Sequence, residues 1–132
     1  MIINGKNAIL GRLASLTAKK LLAGEEVTIV NADKVIITGR PTSIRAEYIA
    51  IRRIGSPQHG PFFPRTPNMI VRRTVRGMIP YKTDKGRTAF KKLRVYNGVP
   101  HGMAEGEVIA TKTIRSNYIT VGEVAKTIGW KG

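Results

Sequence analysis

The sequence predicts an α/β fold: a single three-layer α/β/α domain over residues 1–132, with a small, mostly parallel sheet of about four strands. Three observations carry this. Short β-branched runs such as Val27-Thr28-Ile29-Val30 alternate with stretches of helical period. The first elements read strand, helix, strand, a βαβ unit with a right-handed crossover. The 132 residues, 42% of them hydrophobic, suffice for one core and contain no repeat, low-complexity tract or linker that marks a second domain.

Ile2-Ile3 and Ala8-Ile9-Leu10 flank a polar break and read as one interrupted first strand, with Gly11 as a sharp exit. Leu13, Ala14, Leu16, Thr17, Ala18 and Leu21 give a helix an apolar face, and Gly24 closes it. Val27–Val30 is apolar enough for a strand covered on both faces. Asn31–Lys34 is a turn and Val35-Ile36-Ile37 a third strand. Pro41 opens a helix running to Ile54, with Ile44, Tyr48 and Ile51 inward and Gly55 just past its end. Four prolines between Ser56 and Asn68 make that stretch a stiff loop. Thr66-Pro67 then starts a helix ending near Gly77, with Val71, Val75 and Met78 as its apolar stripe and Arg72, Arg73 and Arg76 clustered on another face. Asp84 is placed to cap a short helix to about Lys92, and Leu93–Tyr96 reads as a fourth strand. Residues 97–117 read as loop with a brief strand at Val108-Ile109, and Thr120-Val-Gly-Glu123 is a capping box for a last helix with Val121, Val124, Ala125 and Ile128 inward.

Charge points to the kind of partner. The net charge is +15, and residues 40–94 alone hold fourteen cations against two acids. Charge kept for solubility is scattered; charge concentrated in the middle of a chain favours a polyanion. Twelve of the 23 cations in the whole chain are Arg, which pairs with phosphate through two parallel hydrogen bonds and stacks on bases. The candidate RNA contacts are Arg12, Arg40, Arg45, Arg52, Arg53, His59, Arg65, Arg72, Arg73, Arg76, Lys82, Lys85, Arg87, Lys91, Lys92 and Arg94. Any one of these is as readily a solvated surface charge; the cluster, with so few acids in it, is not. Phe62, Phe63, His59 and Tyr81 can stack on unpaired bases, though for the two phenylalanines the favoured role is to anchor the proline-rich loop to the core or to a protein neighbour. Gly77 and Gly86 either let the chain's backbone approach a phosphate or base closely or serve as a helix cap and a turn, the two roles balanced at Gly77 and the functional one favoured at Gly86.

Catalysis has little to stand on. His59 and His101 are the only near-neutral bases, and Asp33 is a lone carboxylate in a turn. Cysteine is absent, which excludes disulfides and thiolate metal sites and suits a cytosolic protein; no metal-ligand spacing appears. Asn4-Gly5-Lys6 with Gly11-Arg12 only faintly suggests a phosphate loop, since neither the Walker pattern nor GxGxxG is present. The expectation is no catalytic residue, no metal and no cofactor. No apolar run is long enough to span a bilayer, so no membrane partner is expected.

Longer motifs sharpen this. Val-Arg-Gly-Met-Ile-Pro (75–80), Gly86-Arg87 and Leu93-Arg94-Val95-Tyr96-Asn97-Gly98 follow Gly-Arg-Leu-Ala (11–14) and Asn-Ala-Asp-Lys-Val with its Thr-Gly (31–39). In this order and spacing they resemble the signature of the L-thirteen family of large-ribosomal-subunit proteins. The resemblance covers nearly the whole chain and is most similar to archaeal members, departing from bacterial ones at the short N-terminus and in the 56–67 loop. It implies a three-layer α/β/α arrangement and a structural, non-enzymatic role in the large subunit. It also implies binding to large-subunit ribosomal RNA, neighbouring ribosomal proteins as partners, early assembly and a cytoplasmic location. Two other classes stay open: an α/β enzyme acting on nucleotides or nucleic acid, and a regulator of messenger RNA outside the ribosome.

Overall fold

A computed structural model describes residues 1–53, 65–103, 106–108 and 117–131; the side chains of 51–53 and 107–108 lie outside that description. The expected α/β class is the one adopted. Strands β1 (Ile2–Asn4), β2 (Val27–Val30), β4 (Leu93–Val95) and β5 (Glu107–Val108) form one sheet in the order β4-β2-β1-β5, parallel throughout. Helix α1 (Leu10–Leu22) is the crossover from β1 to β2. Its apolar positions recur every three or four residues, so Leu10, Leu13, Ala14, Thr17, Ala18 and Leu21 are all buried. Gly24 ends it as expected: its N–H donates to the Leu21 carbonyl and the Glu25 N–H to the Lys20 carbonyl, the paired bonds of a Schellman motif.

Strand β3 (Ile36–Thr38) does not join this sheet. It pairs antiparallel with β6 (Tyr118–Thr120), a strand the sequence reading missed between its 97–117 loop and the capping box at Thr120. The two sheets are bridged by Ala8-Ile9: the Ala8 carbonyl accepts from the Ile36 N–H at 2.9 Å, and Ile9 pairs with Ile36. Those residues therefore look like strand in sequence without continuing β1, and Gly11 lies inside α1 rather than at an exit. Helix α2 (Pro41–Arg53) packs on β6 and on α5 (Val121–Thr127), with Ile44, Ile119 and Val124 buried between them. The Thr120 hydroxyl caps α5 by accepting from the Glu123 N–H at 3.2 Å.

Helix α3 (Pro67–Gly77) buries Ile70, Val71 and Val75 against α1, α5 and β4. Met78 is 44% exposed, not inward, because the helix stops at Gly77 and Met78 takes a non-helical conformation. The next residue, Ile79, enters the core instead, at 4% exposure. Helix α4 (Asp84–Phe90) is capped by Thr83, whose hydroxyl accepts from the Gly86 N–H at 3.1 Å; Asp84 lies in the first turn. The helix ends before Lys91 and β4 begins at Leu93, so Arg94 is a strand residue and does not stack above Arg87 and Lys91 as a continuing helix would require. The expectations for Ile51, Gly55, the 56–64 loop and Ile109 lie outside the described residues.

Gly86 is structural. A Cβ there would strike the Pro80 carbonyl and come within 3.0 Å of the Tyr81 nitrogen, so α4 can fold onto the 80–83 turn only with glycine at that point. At Gly11 and Gly77 a Cβ would meet nothing within 4 Å. We expect Gly86→Ala to lower folding stability by about 2 kcal/mol in urea titration. Gly11→Ala should be neutral or stabilising by up to about 1 kcal/mol.

Candidate nucleic-acid interface

The predicted cations fall into three groups. The first belongs partly to the fold. The Arg72 guanidinium lies 4.4 Å from the centre of the Phe90 ring and donates to the Leu93 carbonyl at 3.1 Å, clipping α3 to the start of β4. Lys92 donates through Nζ to the Gly24 carbonyl at 3.2 Å, at the carbonyl end of α1 where a cation is favoured. The side chain of Arg65 lies over Gly129.

A second group stands on or beside α2. Arg40 and Arg45 are exposed; Arg45 reaches Glu123 of α5 at 3.8 Å with both side chains about half in solvent, a pair that contributes little. Arg73 turns toward this side. It lines a groove of about 400 Å³ between α3, β3 and α2, together with Glu47, Tyr48, Ile44, Ile70 and Gly77. Burial, and after it the Glu47 carboxylate, raises the Tyr48 phenol above its usual pKa. The side chains of Arg52 and Arg53, and His59 altogether, lie outside the described residues.

The third group is the turn after α3 and the helix that follows. Arg76, Lys82, Lys85, Arg87 and Lys91 are all exposed there, and Arg94 is exposed on β4. Lys82, Lys85, Lys91 and Arg94 make no ion pair among the described residues; Arg87 meets Asp84 at 3.7 Å and donates to the Lys82 carbonyl. Arg76 lies 4.9 Å from the centre of the Tyr81 ring. The segment is held rigidly: Thr83 accepts from Gly86 and donates to the Pro80 carbonyl at 2.8 Å, and Tyr81 N–H donates to the Ile79 carbonyl. Arg12, exposed in the first turn of α1, stands apart from all three groups in sequence.

Arg72, Arg73 and Arg76 lie within about 100° of arc on α3, with Arg76 between the other two, but they meet different neighbours: Arg72 the Phe90 ring, Arg76 the Tyr81 ring and Arg73 the groove beside α2. The sequence reading also missed Met78 as a surface residue. Gly77 and Pro80 were the signal, since a helical stripe cannot be extended past them.

We expect Arg72→Ala to cost about 1–2 kcal/mol in chemical denaturation, whereas Arg76→Ala should stay within about 0.5 kcal/mol. Arg72→Lys should recover only part of the loss, because an ammonium lacks the planar face that stacks on Phe90.

Comparison with known proteins bears on what this surface meets. A family model described as ribosomal protein L13 matches residues 1–102. The large ribosomal subunit protein uL13 of Methanocaldococcus jannaschii is 46% identical, with 98% of each chain covered. That of Methanococcoides burtonii is 42% identical at the same coverage. That of Methanopyrus kandleri is 41% identical over 98% of this chain and 87% of the relative.

Proposed function

Since the chain belongs to the ribosomal protein L13 family, a family of structural ribosomal proteins and not of enzymes, we propose that it binds large-subunit ribosomal RNA through its exposed Lys and Arg side chains and supports assembly of that subunit. The single observation that carries this reading is the segment 76–94. It presents Arg76, Lys82, Lys85, Arg87, Lys91 and Arg94 to solvent with one acid, Asp84, among them. Cations in that state are hydrated and ready to displace the counterions condensed on a nucleic acid.

The mechanism is electrostatic clamping with no turnover. One arm is the 76–94 segment, seated on α1 and the main sheet; the other is α2, seated on the small β3–β6 sheet. Each arm engages the phosphates of a separate RNA helix, and the core fixes the distance between them. Arg72 and Lys92 hold the first arm in place from beneath. Neighbouring ribosomal proteins of the large subunit complete the setting, and the protein resides with that subunit in the cytoplasm.

The test is a variant that removes charge without touching the fold: Lys82→Gln, Lys85→Gln, Lys91→Gln and Arg94→Gln together. Its melting temperature should match the parent's. Its affinity for large-subunit RNA should fall, and the slope of log K against log salt should flatten by roughly 3–4, at about 0.7–0.9 per lost phosphate contact. It should also lose to the parent in competitive incorporation into subunits separated on sucrose gradients. An unchanged salt slope with normal incorporation would sink the reading, and selective recovery of messenger RNA in place of ribosomal RNA would redirect it.

A further inference from the structure

The stretch Arg76–Tyr81 is used by the fold at one apolar side chain, Ile79, which is 4% exposed. Its neighbours turn outward: Met78 is 44% exposed and Tyr81 39%. Gly77 is exposed as well, and neither of the usual structural reasons for glycine applies to it. It is absent from the positive-φ residues, and a Cβ would meet nothing within 4 Å. Helix propensity favours alanine there. Gly86, nine residues on, shows the contrast, since the fold forbids any side chain at that position. An exposed methionine, an exposed tyrosine and an unforced glycine lie side by side in the most basic part of the chain.

The tyrosine is preorganised. The Arg76 guanidinium lies over its ring at 4.9 Å, and its N–H donates to the Ile79 carbonyl at 2.7 Å, between Pro80 and the capped start of α4. Lys82 and Lys85 are exposed just beyond it, and the nearest acid in sequence, Asp84, is already engaged by Arg87. A flat aromatic surface flanked by cations suits an unpaired nucleobase, which stacks on the ring while its phosphates meet the charges. The chemistry at Gly77 refines this. The last carbonyls of a helix lack intrahelical donors and carry partial negative charge. They repel a phosphate and accept from a hydroxyl. At the end of α3 the Val75 and Arg76 carbonyls accept from the Met78 and Ile79 N–H groups, and each carbonyl oxygen keeps a second lone pair; with no side chain at Gly77 to cover this end, a ribose, with its 2′-OH as donor, is the group that suits it.

We propose that Gly77, Met78, Tyr81 and Arg76 form a platform for one unpaired ribonucleotide: the base stacks on Tyr81 against Met78, the ribose lies over Gly77, and the phosphates reach Arg76, Lys82 and Lys85. This rests on the RNA-binding reading above and adds to it a contact that depends on shape and stacking and not on charge alone.

The experiment combines ultraviolet cross-linking of intact large subunits with binding of the full chain to large-subunit RNA. Trypsin cuts after Arg76 and Lys82, so the platform is released as the peptide Gly77–Lys82. A nucleotide adduct should map to it. Tyr81→Leu and Gly77→Ala should each weaken RNA binding by about tenfold with the salt slope unchanged. Gly77→Ala should do so with a melting temperature equal to or above the parent's, which a structural role cannot produce. If no adduct forms and both variants bind like the parent while the four-charge variant fails, the platform is overturned and the RNA reading stands. If the four-charge variant also binds like the parent, both fall. If Tyr81→Leu keeps its RNA affinity but fails to enter subunits, a protein neighbour covers the platform and the proposal is overturned.

Discussion

The arrangement depends on a polar tie at the carboxyl ends of three parallel strands. Asn4 ends β1 buried, and its side-chain oxygen accepts from the Asn31 side-chain amide at 2.9 Å and from the Lys6 N–H at 3.0 Å. Asn31 follows β2 with φ 58°, a conformation asparagine tolerates better than most residues. Its N–H donates to the Gly98 carbonyl at 2.8 Å, and the Gly98 N–H donates in turn to Asp33 at 3.0 Å. Chain leaving β1, β2 and β4 is thereby joined in one network, buried at the Asn4–Asn31 bond and half-buried at its Lys6 and Gly98–Asp33 ends. Parallel strands have no tight turn to hold their ends together. Any of these groups left unpaired would cost roughly 1–3 kcal/mol. The network therefore fixes where each crossover departs, and the crossovers carry most of the cations.

This divides the sequence motifs by what they do. Asn-Ala-Asp-Lys-Val and the Asn-Gly after β4 belong to the tie, so Asp33 is a structural carboxylate holding a backbone N–H and not a base awaiting a substrate. Gly86 belongs to the contact between α4 and the 80–83 turn. Gly11-Arg12 and the Gly-Met of 77–78 have no such duty, since their side chains or missing side chains face solvent. A motif residue that the fold demands says little about partners. One that the fold leaves idle says a good deal.

Much of the fold was legible because its signals are local. Helical period, Gly24, Pro41, Pro67 and the Thr120 cap each act within about one turn of their own position, and each marks an element that formed. What stayed hidden was non-local. Whether Val35–Ile37 joins the main sheet depends on β6, some eighty residues away, and a three-residue strand has too little pattern to announce a partner. The candidate interface was legible as a region and not as a set of contacts. Composition counts Arg72 and Lys92 equally with Lys82 and Lys85, but the first two answer to Phe90, Leu93 and Gly24. No property of the residue type separates an arginine that braces a helix from one that waits for phosphate.

The same distribution of charge links folding to the partner. Three ion pairs occur among the described residues, at 3.7, 3.8 and 4.0 Å, all with side chains more than a third exposed. Such pairs are screened and add little. Fourteen cations between residues 40 and 94 therefore repel one another with two acids to offset them. That repulsion is smaller in an expanded chain than in a folded one, so it works against the fold. A polyanion laid across the cations removes it, and only the folded chain presents them in register. Binding to the folded form alone adds RT ln(1 + [L]/Kd), about 2.7 kcal/mol at a hundredfold excess over Kd. That is a large share of the roughly 5–15 kcal/mol typical of a small domain. On the RNA-binding reading proposed above, the small core need only be stable enough to offer its cations, since the bound polyanion supplies the rest.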